Sequence, residues 1–189
     1  MPAKIQTGTA YILRTCAADM TSRDGTFTWP RDGRVEAPDW KPTSECGGGL
    51  HGFLWGEGDG SLAEWSDEAV WVVARIDQWI DLRGKVKFPH AEVVYAGDLT
   101  GAVDAIRAAG ASGPIIGSTL TGGDGSTLTG GDRSTLTGGD GSTLTGGAGS
   151  TLTGGAGSTL TGGYGSTLTG GDGSTLTGGY GSTLTGGDG

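Results

Sequence analysis

Cys46 and His51 stand close together in the stretch ECGGGLHGFLWGEGDG, with Glu57 and Asp59 a few residues on. A thiol beside an imidazole base is one route to an activated thiolate. The plainer reading is that the glycines mark tight turns, because the spacing matches no protease or metal signature. Cys16, Cys46, His51 and His90 have the residue types of a zinc site, yet no two of them make a short CxxC-type ligand pair. A second set of reactive-looking groups is far more regular. Nine copies of the quartet STLT recur every eight residues from Ser118 onward, which sets out paired hydroxyls along the last part of the chain.

Composition divides the 189 residues into two unlike parts. Residues 1–115 hold all six tryptophans, all six prolines, both cysteines and both histidines, which suits one small globular domain. Residues 116–189 are almost wholly Gly, Ser, Thr and Leu, with a single basic residue, Arg133. The net charge is −9. No basic face is available for nucleic acid, and an anionic membrane surface is an equally poor partner. The opening residues carry no apolar run of signal-peptide length, and no segment approaches the roughly 20 apolar residues of a membrane span. Cytoplasmic synthesis is the expectation on that basis, with Cys16 and Cys46 as free thiols.

The elements that must position these groups are of two kinds. In the first domain, alternation over Lys4–Leu13 predicts an opening strand, and Gly25–Trp29 is expected to pair with it through the SRDG turn. Ala69–Ile76, Lys85–Phe88 and Ala91–Ala96 read as further strands, bounded by Gly, Pro or Asp. Leu99–Ala109 reads as a helix with Asp98 as N-cap, Gly110 beyond its end, and Leu99, Ala102, Val103, Ile106 and Ala109 on one face. The tryptophans at 55, 65, 71 and 79 read as packing residues and not as a stacking platform. The expected class is an α+β N-terminal domain that caps the repeats.

A flexible linker needs no fixed period, whereas GG(D/A/Y)GSTLT recurs without an insertion, and fixed periodicity is the mark of a solenoid. Each STLT supplies a short strand with β-branched threonines, and the glycines supply a corner. Read at a step of sixteen, the variable slot separates into two columns. One is Asp132, Ala148, Tyr164 and Tyr180; the other is Asp124, Asp140, Ala156, Asp172 and Asp188. Both repeat tyrosines share a column. A sixteen-residue coil with two strands, a short parallel β-helix, is therefore expected, with Tyr164 stacked on Tyr180. Side chains alternate along a strand, so the two threonines of each quartet share the outer face while Ser and Leu point inward.

The octads GGYGSTLT and GGDGSTLT resemble those of bacterial ice nucleation proteins over residues 118–189. That resemblance implies that T-x-T rows order water and bind ice, and that a tyrosine ladder supports side-by-side assembly. By position, the row after the tyrosine corners is Thr119, Thr121, Thr135, Thr137, Thr151, Thr153, Thr167, Thr169, Thr183 and Thr185. The opposite row is Thr127, Thr129, Thr143, Thr145, Thr159, Thr161, Thr175 and Thr177; Tyr164 and Tyr180 match the ladder. The family pattern carries Ala where this chain has the first Gly of each pair, and family members carry many more coils. In the first domain, CGGGLHG followed by GKVKFPHAEVVYAGD resembles an uncharacterised domain of bacterial and phage proteins, with no activity attached.

Three readings follow. The first is an ice-binding or ice-nucleating β-solenoid whose partners are water or ice and further copies of itself, with no cofactor and no enzymatic activity. The second makes the first domain a binding or catalytic module, through Cys46 and His51, with the repeats as a structural arm. The third is a calcium-stabilised repeat, since GGDG resembles the turns of the toxin-type nonapeptides. Against it, the unit here is eight residues and the Asp is lost at Ala148, Ala156, Tyr164 and Tyr180.

Overall fold

The apolar run VWVVARI becomes part of the longest strand of the first unit. The computed structural model describes residues 3–188 and divides into two compact units, Met1–Ser112 and Gly113–Gly189. The first unit contains β1 (Gln6–Cys16), β2 (Gly33–Glu36), β3 (Leu50–Leu54), β4 (Val70–Asp81), β5 (Val86–Phe88), β6 (His90–Gly97) and the helix α1 (Leu99–Ala108). All the strand pairings are antiparallel, in the order β1-β3-β5-β4-β6-β2, and β1 also pairs with β4. Strands β1, β3, β5 and β4 thus close on themselves, which leaves those strands few free edges. Ile12, Val72, Ala74, Trp29 and Phe88 lie in the core of this unit.

Helix α1 starts where Asp98 accepts a hydrogen bond from the Gly101 N–H at 2.8 Å, and it buries Ala102, Val103 and Ile106. Gly110, at φ 114°, follows its end. Two expectations fail in instructive ways. Gly25–Trp29 does not pair with β1; it folds back locally, with a single bridge between Thr21 and Thr28. Asp24 accepts from the Ser22 hydroxyl and the Thr26 N–H, so the turn closes on itself, and the edges of β1 are occupied by β3 and β4. Leu50–Leu54 of the glycine-rich run is also a strand and not a loop: β3 pairs with β1 and β5. Gly52 is needed there for close approach, because a Cβ would lie 2.9 Å from Ile12 Cδ1.

The second unit is a solenoid. One face is a five-stranded parallel sheet of β7 (Thr119–Thr121), β9 (Thr135–Thr137), β11 (Thr151–Thr153), β13 (Thr167–Thr169) and β15 (Thr183–Thr185). The other is a four-stranded parallel sheet of β8 (Thr127–Thr129), β10 (Thr143–Gly146), β12 (Thr159–Gly162) and β14 (Thr175–Gly178). Every pairing is in register at a step of sixteen, for example Thr135 with Thr151 and Leu144 with Leu160. Leu136, Leu144, Leu152, Leu160 and Leu168 are fully buried and form one core, with Leu120, Leu128 and Leu176 packed against it. The expectation that every repeat leucine lies inside is corrected at Leu184, which is 45% exposed. Its strand pairs with β13 alone, so no further leucine covers it.

Serine fills the rest of the interior. Ser134, Ser142, Ser150, Ser158 and Ser166 are buried, and their hydroxyls donate to carbonyls or share protons between coils. Ser150 Oγ donates to the Gly131 carbonyl and Ser166 Oγ to the Gly147 carbonyl, each at 3.2 Å. A small hydroxyl that reaches the backbone of the preceding coil satisfies both its own polarity and that of the corner.

Candidate functional site

Outside this serine and leucine interior, every threonine of the repeats is exposed. Parallel in-register pairing fixes their geometry. Successive strands of a sheet lie about 4.8 Å apart, and residues i and i+2 of one strand about 6.7 Å apart, so each sheet carries a two-column lattice of hydroxyls and methyls. The row of Thr119, Thr121, Thr135, Thr137, Thr151, Thr153, Thr167, Thr169, Thr183 and Thr185 lies on the five-stranded sheet. The row of Thr127, Thr129, Thr143, Thr145, Thr159, Thr161, Thr175 and Thr177 lies on the four-stranded one. Repeating stereochemistry makes both rows regular along the stack.

The corners hold these lattices in place. In most coils a glycine after the variable slot takes positive φ, as Gly141 does at 64°, and its N–H donates to the slot carbonyl one coil on, Ala156 at 2.8 Å. Arg133 occupies one such position at φ 57°. Beyond Gly123, the second glycine of each pair is required by crowding: a Cβ on Gly139 would overlap Asp124 Oδ1 and lie 2.6 Å from the Asp124 backbone N.

The acidic slot residues have a role that periodicity alone did not reveal. Asp124, Asp132, Asp140 and Asp172 each accept, through Oδ1, the backbone N–H of the residue sixteen positions on, at 2.8–3.0 Å. A carboxylate that accepts a backbone N–H forms a charge-assisted bond and ties one coil to the next. Ala148, Ala156 and Tyr164 offer no such acceptor. The oxygens invoked by the calcium reading are therefore engaged as rungs, and among the described residues no cluster of three or more His, Cys, Asp or Glu could hold a metal. The tyrosine column is as the sixteen-residue step requires: the rings of Tyr164 and Tyr180 stack at 6.0 Å with an 18° tilt, and are 66% and 86% exposed.

Half of this chain aligns with proteins of one description. An ice nucleation protein, InaU, of Pantoea ananas is 41% identical over 99 residues, which is 50% of this chain and 10% of that protein. One from Xanthomonas campestris pv. translucens is 38% identical over 112 residues, 57% of this chain and 7% of the relative. A third, from Pseudomonas syringae, is 41% identical over 93 residues, 47% and 8% of the two chains. This chain is similar to bacterial ice nucleation proteins. The matched stretch spans a tenth or less of the length of these relatives. No family model matches the chain, and no solved structure matches it significantly.

The residues singled out in the first domain are only partly brought together. Cys46 is exposed, with its Sγ 3.3 Å from Lys85 Nζ, while His51 sits on β3 with Nε2 buried and without a partner. Both line one cavity, but no Cys46–His51 hydrogen bond forms among the described residues. Burial, then the charges of Lys85, Arg14 and Lys87, lowers His51 from the ordinary 6.5 to about 4. Cys16 is buried in the core, with its thiol pushed up by desolvation, and His90 faces Asp77 at 3.0 Å. The four-residue zinc set is therefore scattered. Asp59 caps the 3₁₀ turn Gly60–Leu62 by accepting from Ser61, and Glu57 lines a smaller cavity beside Trp79. Among the described residues no helix is long and apolar enough to cross a membrane.

Proposed function

We propose that the repeats form an ice-binding, ice-nucleation-like solenoid whose T-x-T rows order water. The observation that carries this reading is the sixteen-residue register, which stacks identical threonine pairs into two exposed lattices. The similarity to ice nucleation proteins supports the same assignment. A nucleating template gains potency with area, and side-by-side assembly of stacks enlarges that area. Ice binding, or nucleation after assembly, is accordingly the expected activity. Tyr164 and Tyr180 are the proposed contact for side-by-side association, since stacked exposed rings offer apolar area with a polar tip. Residues 1–115 are proposed to cap and nucleate the stack; unchanged repeat circular dichroism after their deletion would refute that role.

Droplet freezing tests the main proposal. Wild type is compared with Thr135, Thr151 and Thr167 changed together to Lys, and with Thr143, Thr159 and Thr175 changed likewise, after circular dichroism shows all three folded. A freezing temperature or ice-crystal habit altered by wild type and lost in one variant assigns the activity to that row. Equal behaviour of all three folded proteins refutes it. The calcium reading has its own test: a melting curve that is unmoved by chelator dismisses it.

A further inference from the structure

The first unit contains a cavity of about 690 Å³ that the solenoid reading leaves unused. One wall of it is a strap of irregular chain, residues 38–49 between β2 and β3, which contributes Pro38, Asp39, Cys46, Gly47, Gly48 and Gly49 to the lining. The strap has little apolar anchorage: Lys41, Pro42, Ser44, Glu45, Cys46 and Gly47 are exposed, and Trp40 is half-buried. Its backbone closes on itself where the Lys41 N–H donates to the Gly48 carbonyl at 2.9 Å, and its near end is pinned where the Ala37 N–H donates to the Pro89 carbonyl at 2.7 Å. Gly47 and Gly48, at φ 91° and 61°, give its far end the freedom of a hinge.

The middle of the strap is held by a buried ammonium. Lys87 on β5 is fully buried, and its Nζ donates to the Glu45 carbonyl at 2.8 Å, the Gly47 carbonyl at 3.0 Å and Thr43 Oγ1 at 3.2 Å. The Trp40 ring lies beside it, its centre 5.9 Å from Nζ. Lys85 Nζ adds a contact to Cys46 Sγ at 3.3 Å. Among the described residues Lys87 enters no ion pair, so the strap oxygens supply the solvation that a buried charge requires. Water can take the place of those three oxygens when the strap lifts. Opening therefore strands no charge and uncovers little apolar surface, which are the marks of a segment that opens while the sheet beneath it stays folded.

We infer that residues 38–49 are a lid over this cavity and that the Lys87 ammonium is its latch, so that water and small solutes enter when the latch lets go. The inference does not depend on the ice-binding reading. Two indoles make a reporter and a control: Trp29 lines the cavity and Trp79 lies outside its lining, and the Nε1 of each is closed off from water without a hydrogen bond. The test follows hydrogen exchange by NMR in the full chain labelled with nitrogen-15. In wild type the Lys41 amide and the Trp29 indole are expected to exchange through one common opening, faster than the amides of β4. Lys87→Met keeps the apolar stem and removes the ammonium; it is expected to speed both signals about tenfold or more, the size of one hydrogen bond to a charged group, and to leave the Trp79 indole and β4 unchanged. Thr43→Val removes one acceptor and is expected to speed the same two signals by a smaller factor, and it carries the test alone where Lys87→Met does not fold. Unchanged exchange in the folded variants overturns the latch, as does acceleration shared equally by β4. Acceleration at Lys41 with none at Trp29 overturns the lid.

Discussion

Leu152 and Leu184 sit in identical STLT quartets, and only the stack distinguishes them. Leu152 is fully buried between Leu136 and Leu168, whereas Leu184 is 45% exposed in a strand with one neighbour. Removing a fully buried leucine side chain costs about 2–5 kcal/mol, through lost transfer energy and the cavity left behind. For a half-exposed leucine the area term alone gives about 1 kcal/mol, with no closed cavity to add. Leu152→Ala is therefore expected to lower the urea midpoint of the solenoid by about 2 M or to unfold it outright, at a slope near 1 kcal/mol per molar for a segment this small. Leu184→Ala is expected to shift it by about 1 M or less. Far-UV circular dichroism follows the repeats, while tryptophan emission follows the first unit separately, because all six tryptophans lie before residue 80. Equal losses from the two substitutions would refute the inward stacking of the leucines, and so would a larger loss at Leu184.

Two further predictions rest on single positions. Gly139→Ala is expected to destabilise the solenoid by about 3 kcal/mol or more, since its Cβ would strike the Asp124 backbone, while Gly123→Ala, with open space around it, is expected to be neutral or slightly stabilising; paired melts of the two variants decide this. His51 has a folded value of about 4, below its ordinary 6.5, so between those limits the unfolded chain binds the extra proton and stability rises with pH. Stability, read from denaturation monitored by tryptophan emission, is expected to fall as pH falls through that window, and His51→Gln is expected to flatten the dependence.

The parts of the fold that local chemistry dictates were legible in the sequence. Asp98 and the apolar spacing after it mark α1, and the step of sixteen that aligns Tyr164 with Tyr180 sets the coil size. The T-x-T faces followed from alternation alone. What escaped depends on distant partners. β3 is hidden because Gly52 reads as a turn until Ile12 lies across from it, and β2 is a four-residue edge that earns its state from β6. The aspartate rungs needed the three-dimensional neighbour sixteen residues away, and the periodic Asp had suggested a calcium turn instead. The cavity draws Arg14, Trp29, His51 and Lys85 from separate segments, which no local motif announces.

The near-identity of the coils carries a consequence for how the chain finds its register. A strand shifted by one octad still meets Thr with Thr and Leu with Leu, so the quartets themselves cannot tell a correct alignment from a slipped one. The variable slot can, and so can Arg133, which stands where the other octads have Gly. A slip of eight would set Tyr180 against Asp172 in place of Tyr164, and Asp124 beneath the N–H of Asp132 in place of that of Asp140. The slot residues thus act as index marks on an otherwise repetitive ladder. The same redundancy lets a gene gain or lose a whole coil by recombination without disturbing the contacts within the others, so solenoid length is free to vary under selection while its cross-section stays fixed.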